Sequence, residues 1–162
     1  GGCVSQRSSP EGPIVCHVGA GAINKRWPMD RWAALRSAMG ADRVTLIAGE
    51  VEAERFTATE SETFTQSGGR WISHLPQLAE VIRGASVFIG ADTGPTHLSA
   101  QLGIPTIAIF GPTDPAIWAP IGPAVTVVSP PTPSSMTWPS IERVRVAAES
   151  VMESTARPST SE

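Results

Sequence analysis

Short, unbroken apolar runs rich in β-branched residues alternate along the chain with segments whose apolar positions recur at helical spacing. The apolar runs predict strands at 14–18, 43–48, 86–90, 106–110 and 125–128, and the mixed segments predict helices at 30–39, 50–59, 75–83, 96–102 and 141–151. VTLIA, SVFIG, TIAIF and VTVV do not alternate between apolar and polar residues, which is the pattern of parallel strands covered by helices on both faces. An α/β fold follows: a Rossmann-like parallel sheet with helices on both faces and a ligand at the carboxyl ends of its strands. Boundary residues agree, with Asp30 as a helix cap, Gly40 and Gly103 as helix ends and Pro76 in a first turn. No repeat period is present.

The ends differ in character. Residues 1–13 are small, polar and Pro-bearing and read as a linker, and 152–162 are Ser/Thr-rich and read as a disordered tail, so the expected domain is 14–151. The start, Gly1-Gly2-Cys3, has neither an initiator Met nor a basic-then-apolar leader, and reads as a piece of a longer chain. At 162 residues the chain is one domain, able to bury roughly 70% of its unfolded surface without staples. Cys3 and Cys16 have no CxxC or Cys/His ligand spacing around them, which argues against structural zinc or a disulfide scaffold. A formal charge of -3 argues against a nucleic-acid footprint, and Gly and Pro break every apolar stretch well short of a bilayer span.

Candidate chemistry concentrates in 86–120, SVFIGADTGPTHLSAQLGIPTIAIFGPTDPAIWAP. An apolar strand runs into Asp92-Thr93-Gly94-Pro95 and a helix begins at once. Gly94 permits close approach of a ligand to the backbone, Pro95 loses no hydrogen bond there, and the free N–H groups of the first turn suit a phosphate or diphosphate. Thr93 adds a hydroxyl, and His97 lies four residues on, along the same helical face. A plainer reading makes Asp92 and Thr93 simple caps and His97 a packing residue. The next segment weighs against it, because GIPTIAIFGPTDP repeats the arrangement and brings Thr113 and Asp114 out beside the first loop if the two strands are neighbours.

GADTGPTHLSAQLGIPTIAIFGPTDPAIWAP resembles the carboxyl-terminal signature of glycosyltransferase family 9, the ADP-heptose:lipopolysaccharide heptosyltransferases. HVGAGAINKRWP is similar to that family's His-Pro-Gly and Lys-x-Trp-Pro loop, and LPQLAEVIRGASVFIG to the helix and strand before the signature. The resemblance covers 14–121 in order and spacing. It implies the donor-binding, carboxyl-terminal half of a GT-B enzyme that is inverting and metal-independent. The donor would be ADP-L-glycero-D-manno-heptose and the acceptor the lipopolysaccharide inner core.

By the same resemblance Lys25 neutralises donor phosphate, Asp92 holds hydroxyls of the donor sugar, and Thr93, Gly94 and His97 cradle the diphosphate. Gly19 and Gly21 belong to the first phosphate loop, and Thr113 and Asp114 to the second signature loop. Glu52 is the choice for the carboxylate that grips the ribose, with Glu50 and Glu54 as alternatives. No catalytic residue is assigned in this chain, since the general base belongs to an amino-terminal acceptor domain without which the chain would be inactive. No cofactor and no metal are implied; the expected partners are the donor and, through that other domain, the glycan acceptor. The expected location is the cytoplasm, with at most peripheral contact with the inner membrane.

Three departures stand out: Val18 replaces the usual Pro, and Ala20 and Ala22 replace the usual Ser or Thr. They remove hydroxyl donors and leave backbone N–H groups to hold phosphate. Of the five tryptophans, Trp27 and Trp118 flank the expected site and could stack a base, although burial is the commoner fate of so large a ring. His17 reads as a structural strand-end residue and His74 as a surface one. Two other functions fit the same residues: a non-catalytic nucleotide-sugar-binding module, and a GT-B or epimerase-like enzyme that uses a UDP-sugar.

Overall fold

The computed structural model describes residues 11–20 and 22–156. Six strands, β1 (Ile14–His17), β2 (Val44–Gly49), β3 (Arg70–Ile72), β4 (Val87–Ala91), β5 (Thr106–Ile109) and β6 (Val125–Val128), form one sheet. Their order is β3-β2-β1-β4-β5-β6, and every pairing is parallel. Between them run a 3-10 turn (Ile23–Lys25) and helices α1 (Met29–Met39), α2 (Glu50–Arg55), α3 (Ala58–Gln66) and α4 (Leu75–Arg83). Helices α5 (Gly94–Gln101), α6 (Pro115–Trp118) and α7 (Ile141–Ala156) complete the described chain.

The unbroken apolar strands are explained by two cores, one on each face. Ile14 and Cys16 of β1 and Val87 and Ile89 of β4 point to the same side as Trp32 and Leu35 of α1 and Val144 and Ala148 of α7. Val15 and Phe88 point the other way, into a core with Ile82 of α4 and Ile104, against which Leu98 and Leu102 pack. Both sides of each central strand are thus largely covered, which suits continuous apolar runs, and the buried Thr106 of β5 has its hydroxyl bonded to Ser99 Oγ and the Ile104 carbonyl. Strand β1 lies between β2 and β4, with His17 opposite both Ile47 and Gly90. The chain leaves β1 toward one side of the sheet and returns through β4 on the other. This reversal opens a crevice at the carboxyl ends of β1 and β4, where open parallel sheets bind ligands.

Several boundaries differ from expectation. The helix expected at 50–59 is two helices, because Phe56 is extended and Thr57 opens α3 with a capping box. In that box Thr57 Oγ1 accepts from the Glu60 N–H, and Glu60 accepts from the Thr57 N–H. Asp30 is not a cap: Pro28 holds that position and Asp30 sits inside the first turn of α1. Helix α7 continues to Ala156, so 152–156 are helical rather than part of a tail. The expected linker over 1–10 and tail over 157–162 lie outside the described residues. Gly40 and Gly103 end their helices at φ 109° and 77°, where a side chain would be strained. Cys16 is buried with burial pushing its thiol pKa far up, which leaves it inert. No described helix is long and apolar enough to cross a membrane.

Leu35 is fully buried between α1 and the sheet. Leu35→Ala should lower unfolding free energy by about 2–5 kcal/mol in urea titrations. Ser37→Ala, exposed on the same helix, should stay within about 0.5 kcal/mol of the parent.

Candidate functional site

Two carboxylates define the crevice. The first is Glu52, in the opening turn of α2 and only 7% exposed. Its Oε2 accepts from the Gly49 N–H at 3.0 Å, and its Oε1 lies 3.5 Å from Nε2 of His17 at the end of β1. Gly19 makes room for it, since a Cβ at that position would lie 1.8 Å from Glu52 Oε1. Of the three acids left open by the sequence, Glu52 is therefore the one built into the site. Glu50 borders the crevice but is exposed, and Glu54 is exposed and outside its wall.

The second carboxylate is Asp92, which follows β4 directly. Lys25 Nζ lies 3.7 Å from its Oδ2, His97 Nε2 lies 3.3 Å from its Oδ1, and Thr113 Oγ1 donates to Oδ2 at 3.5 Å. Lys25 comes from the loop after β1, His97 from α5 and Thr113 from the loop after β5, so adjacent strand ends do bring the predicted residues together. Thr93 is the N-cap residue of α5, but its side chain caps nothing; its Oγ1 pairs with Thr96 Oγ1 at 3.1 Å. Among the described residues no side-chain cap bond closes the first turn of α5, so its N–H dipoles are open. A Cβ built on Gly94 would meet nothing within 4 Å, so this turn faces open space. The plainer reading of Asp92 and Thr93 as caps does not describe the structure.

Between the two carboxylates lies a cavity of about 580 Å³. His17, Glu52, Asp92 and Thr93 are polar residues of its wall, and Ile47, Ile72, Leu75 and Leu78 are apolar ones. Its size and mixed lining suit a compact ligand with one apolar ring system and several hydroxyls. Lys25, His97 and Thr113 lie outside that wall and join it through Asp92.

Asp114 is placed differently: it is exposed and caps α6, accepting from the Ala116 N–H at 2.9 Å. Gly21 lies outside the described residues. Neither tryptophan stacks on the cavity. Trp27 is buried, edge-on to Trp32 at 4.8 Å, and donates to the Pro139 carbonyl at 2.9 Å. Trp118 is exposed and outside the wall. His74 is exposed as expected, yet it borders the cavity at the start of α4. His17 goes beyond the structural part expected of it, because it forms part of the wall and faces Glu52; its one legible signal was its place at the end of an apolar strand. Burial lowers the pKa of His17 and the nearby Glu52 charge opposes this only in part, so the ring is neutral at neutral pH. Its Nδ1 is buried near the Gly19 backbone and, among the described residues, has no hydrogen bond of ordinary geometry.

The family model described as glycosyltransferase family 9 (heptosyltransferase) matches residues 5–144. Lipopolysaccharide heptosyltransferase 1 of Salmonella typhimurium is 32% identical over 96 residues, 58% of this chain and 30% of that protein. The protein of the same name from Pseudomonas aeruginosa is 32% identical over 116 residues, 67% of this chain and 31% of that protein. Among solved structures, E. coli ADP-heptose LPS heptosyltransferase II has a TM-score of 0.73 at 20% identity, covering 92% of this chain and 49% of that one. E. coli heptosyltransferase WaaC with ADP has a TM-score of 0.70 at 23% identity, covering 88% and 45%. The matched segment thus spans about a third of those relatives and about half of those structures. At these structural identities the likeness establishes the fold.

Two outcomes follow from the geometry. Gly19→Ala should displace the Glu52 carboxylate, cost about 1–3 kcal/mol in thermal unfolding and shift the Gly49 amide resonance, because the two groups cannot share the space. His17 binds its proton more readily unfolded than folded, so its contribution to stability is complete above its ordinary pKa of 6.5 and is lost as pH falls below it. Urea titrations should show this loss, with a slope of at most about 1.4 kcal/mol per pH unit from this group, and His17→Gln should flatten it.

Proposed function

Since the chain belongs to glycosyltransferase family 9, we propose that it is the donor-binding half of an inverting, metal-independent glycosyltransferase. In this reading it takes heptose from ADP-L-glycero-D-manno-heptose for transfer to the lipopolysaccharide inner core. The observation that carries the reading is the meeting of Lys25 with Asp92 beside the uncapped first turn of α5, at the switch point of the sheet. Lys25 and the N–H groups of α5 supply positive charge for a diphosphate, and Asp92 supplies acceptors for sugar hydroxyls. Glu52 supplies acceptors for a ribose, and the wall of Ile47, Ile72, Leu75 and Leu78 supplies an apolar seat for a base. That WaaC has been solved with ADP and with ADP-2-deoxy-2-fluoro heptose supports the choice of donor.

In the reaction, a base on a separate acceptor domain removes the proton of the acceptor hydroxyl, which attacks the anomeric carbon from the face opposite the leaving diphosphate. Lys25 and the α5 amides stabilise the charge that develops on the departing phosphate. The chain alone binds donor and does not turn over. The reading sets the site in the cytoplasm, where nucleotide sugars are made, with the acceptor presented at the inner membrane.

Calorimetry with ADP should give a saturable isotherm, with UDP binding more weakly. Lys25→Ala should weaken ADP about tenfold or more, and Lys25→Ala with Asp92→Ala should nearly abolish binding of the complete donor. Absence of ADP binding by the parent chain, or no effect of the double substitution, would overturn the reading. Turnover of a lipopolysaccharide acceptor by this chain alone would contradict the half-enzyme reading.

A further inference from the structure

Lys25 ends a 3-10 turn that has no buried residue, and its own side chain is still 32% exposed where it meets Asp92. The next residue is held firmly. Arg26 Nη2 donates to Glu60 Oε2 at 2.6 Å, its guanidinium lies 5.1 Å over the ring of Phe56, and its side chain is only 10% exposed. Glu60 is in turn immobilised, because its other oxygen accepts from the Thr57 N–H in the box that starts α3. Phe56 is anchored on Phe64 and Trp71. We propose that Arg26 is a positioning residue: by docking the first loop on Phe56 and Glu60, it holds the Lys25 ammonium beside Asp92.

The chemistry favours this assignment over a direct phosphate contact. The guanidinium of Arg26 is already committed to a carboxylate and a ring, and it is absent from the cavity wall. Burial would raise the Glu60 pKa, yet the Thr57 amide and Arg26 pull it below its ordinary value, so the carboxylate is charged and paired at neutral pH. A planar guanidinium can stack on Phe56 and bond Glu60 at once, which an ammonium does poorly.

The ADP arm of the test rests on the donor-binding reading, whereas a second arm does not. Calorimetry is run on the parent, Arg26→Met, Lys25→Ala and the double variant. Arg26→Met should weaken ADP about five- to tenfold in the parent and change nothing further once Lys25 is absent. An equal loss in both backgrounds would overturn the proposal, because Arg26 would then act independently of Lys25. Arg26→Lys should restore only part of the affinity, and full restoration would count against the stacked, bonded guanidinium. In the second arm, hydrogen exchange of the segment 22–28 is followed without ligand in the parent, Arg26→Met and Glu60→Gln, the last of which can still cap α3. Exchange there should accelerate in both variants while the core of β1 and β4 stays protected. Unchanged exchange would overturn the proposal whether or not ADP binds; if only the parent's ADP binding fails, the functional reading falls and the loop clamp stands.

Discussion

Asp92 receives Lys25 at 3.7 Å on one oxygen and His97 at 3.3 Å on the other, so groups from the loop after β1 and from α5 meet on one carboxylate. An acid beside a helix N-terminus would repel any anion drawn to that turn if it stood alone. Here its charge is answered by the lysine, and the uncapped first turn of α5 adds positive potential on the neighbouring backbone. The same contact ties the first loop to the fourth strand, and that tie is possible only because the strand order reverses between β1 and β4. Sheet topology and site electrostatics are therefore one constraint. A sheet of another order would part Lys25 from Asp92 without altering a single residue type.

Much of this was legible in the sequence because the physics involved is local. Unbroken apolar runs imply strands, and five of the six follow from that rule alone, although β6 lies at the sheet edge and only Val128 of its four residues is buried. Asp92-Thr93-Gly94-Pro95 names a helix start from its own residues, and α5 does begin at Gly94. Strand β3 escaped because it is three residues long at the sheet edge, with Arg70 and Trp71 exposed, so it carries almost no apolar signal. The break at Phe56 was available in the Thr57 to Glu60 spacing, a capping signature read through as continuous helix.

Residues whose meaning depends on distant partners were harder to read. Glu52 could not be separated from Glu50 and Glu54 by spacing, because what distinguishes it is the missing side chain at Gly19 and the ring of His17, both more than thirty positions away. Arg26 could not be linked to Glu60 for the same reason, and the capping part that Asp114 plays at the start of α6 has the same composition as a ligand contact. Trp27 shows the converse: it lies beside the first loop in sequence, yet its indole points into the core and donates to Pro139.

The two carboxylates also explain how the cavity can be ready for a ligand before one arrives. Each already has a partner on each oxygen, Gly49 and His17 for Glu52, and Lys25, Thr113 and His97 for Asp92. A carboxylate offers about four lone-pair positions, so both retain acceptor capacity that hydroxyl groups can use without breaking the bonds that orient them. The donors of the site, the Lys25 ammonium and the α5 amides, are concentrated at the Asp92 end. Acceptors thus stand at both ends of the cavity and donors at one. On the proposed reading, a donor with hydroxyls on both sides of a diphosphate would satisfy all of them in a single orientation, with little side-chain rearrangement to oppose binding.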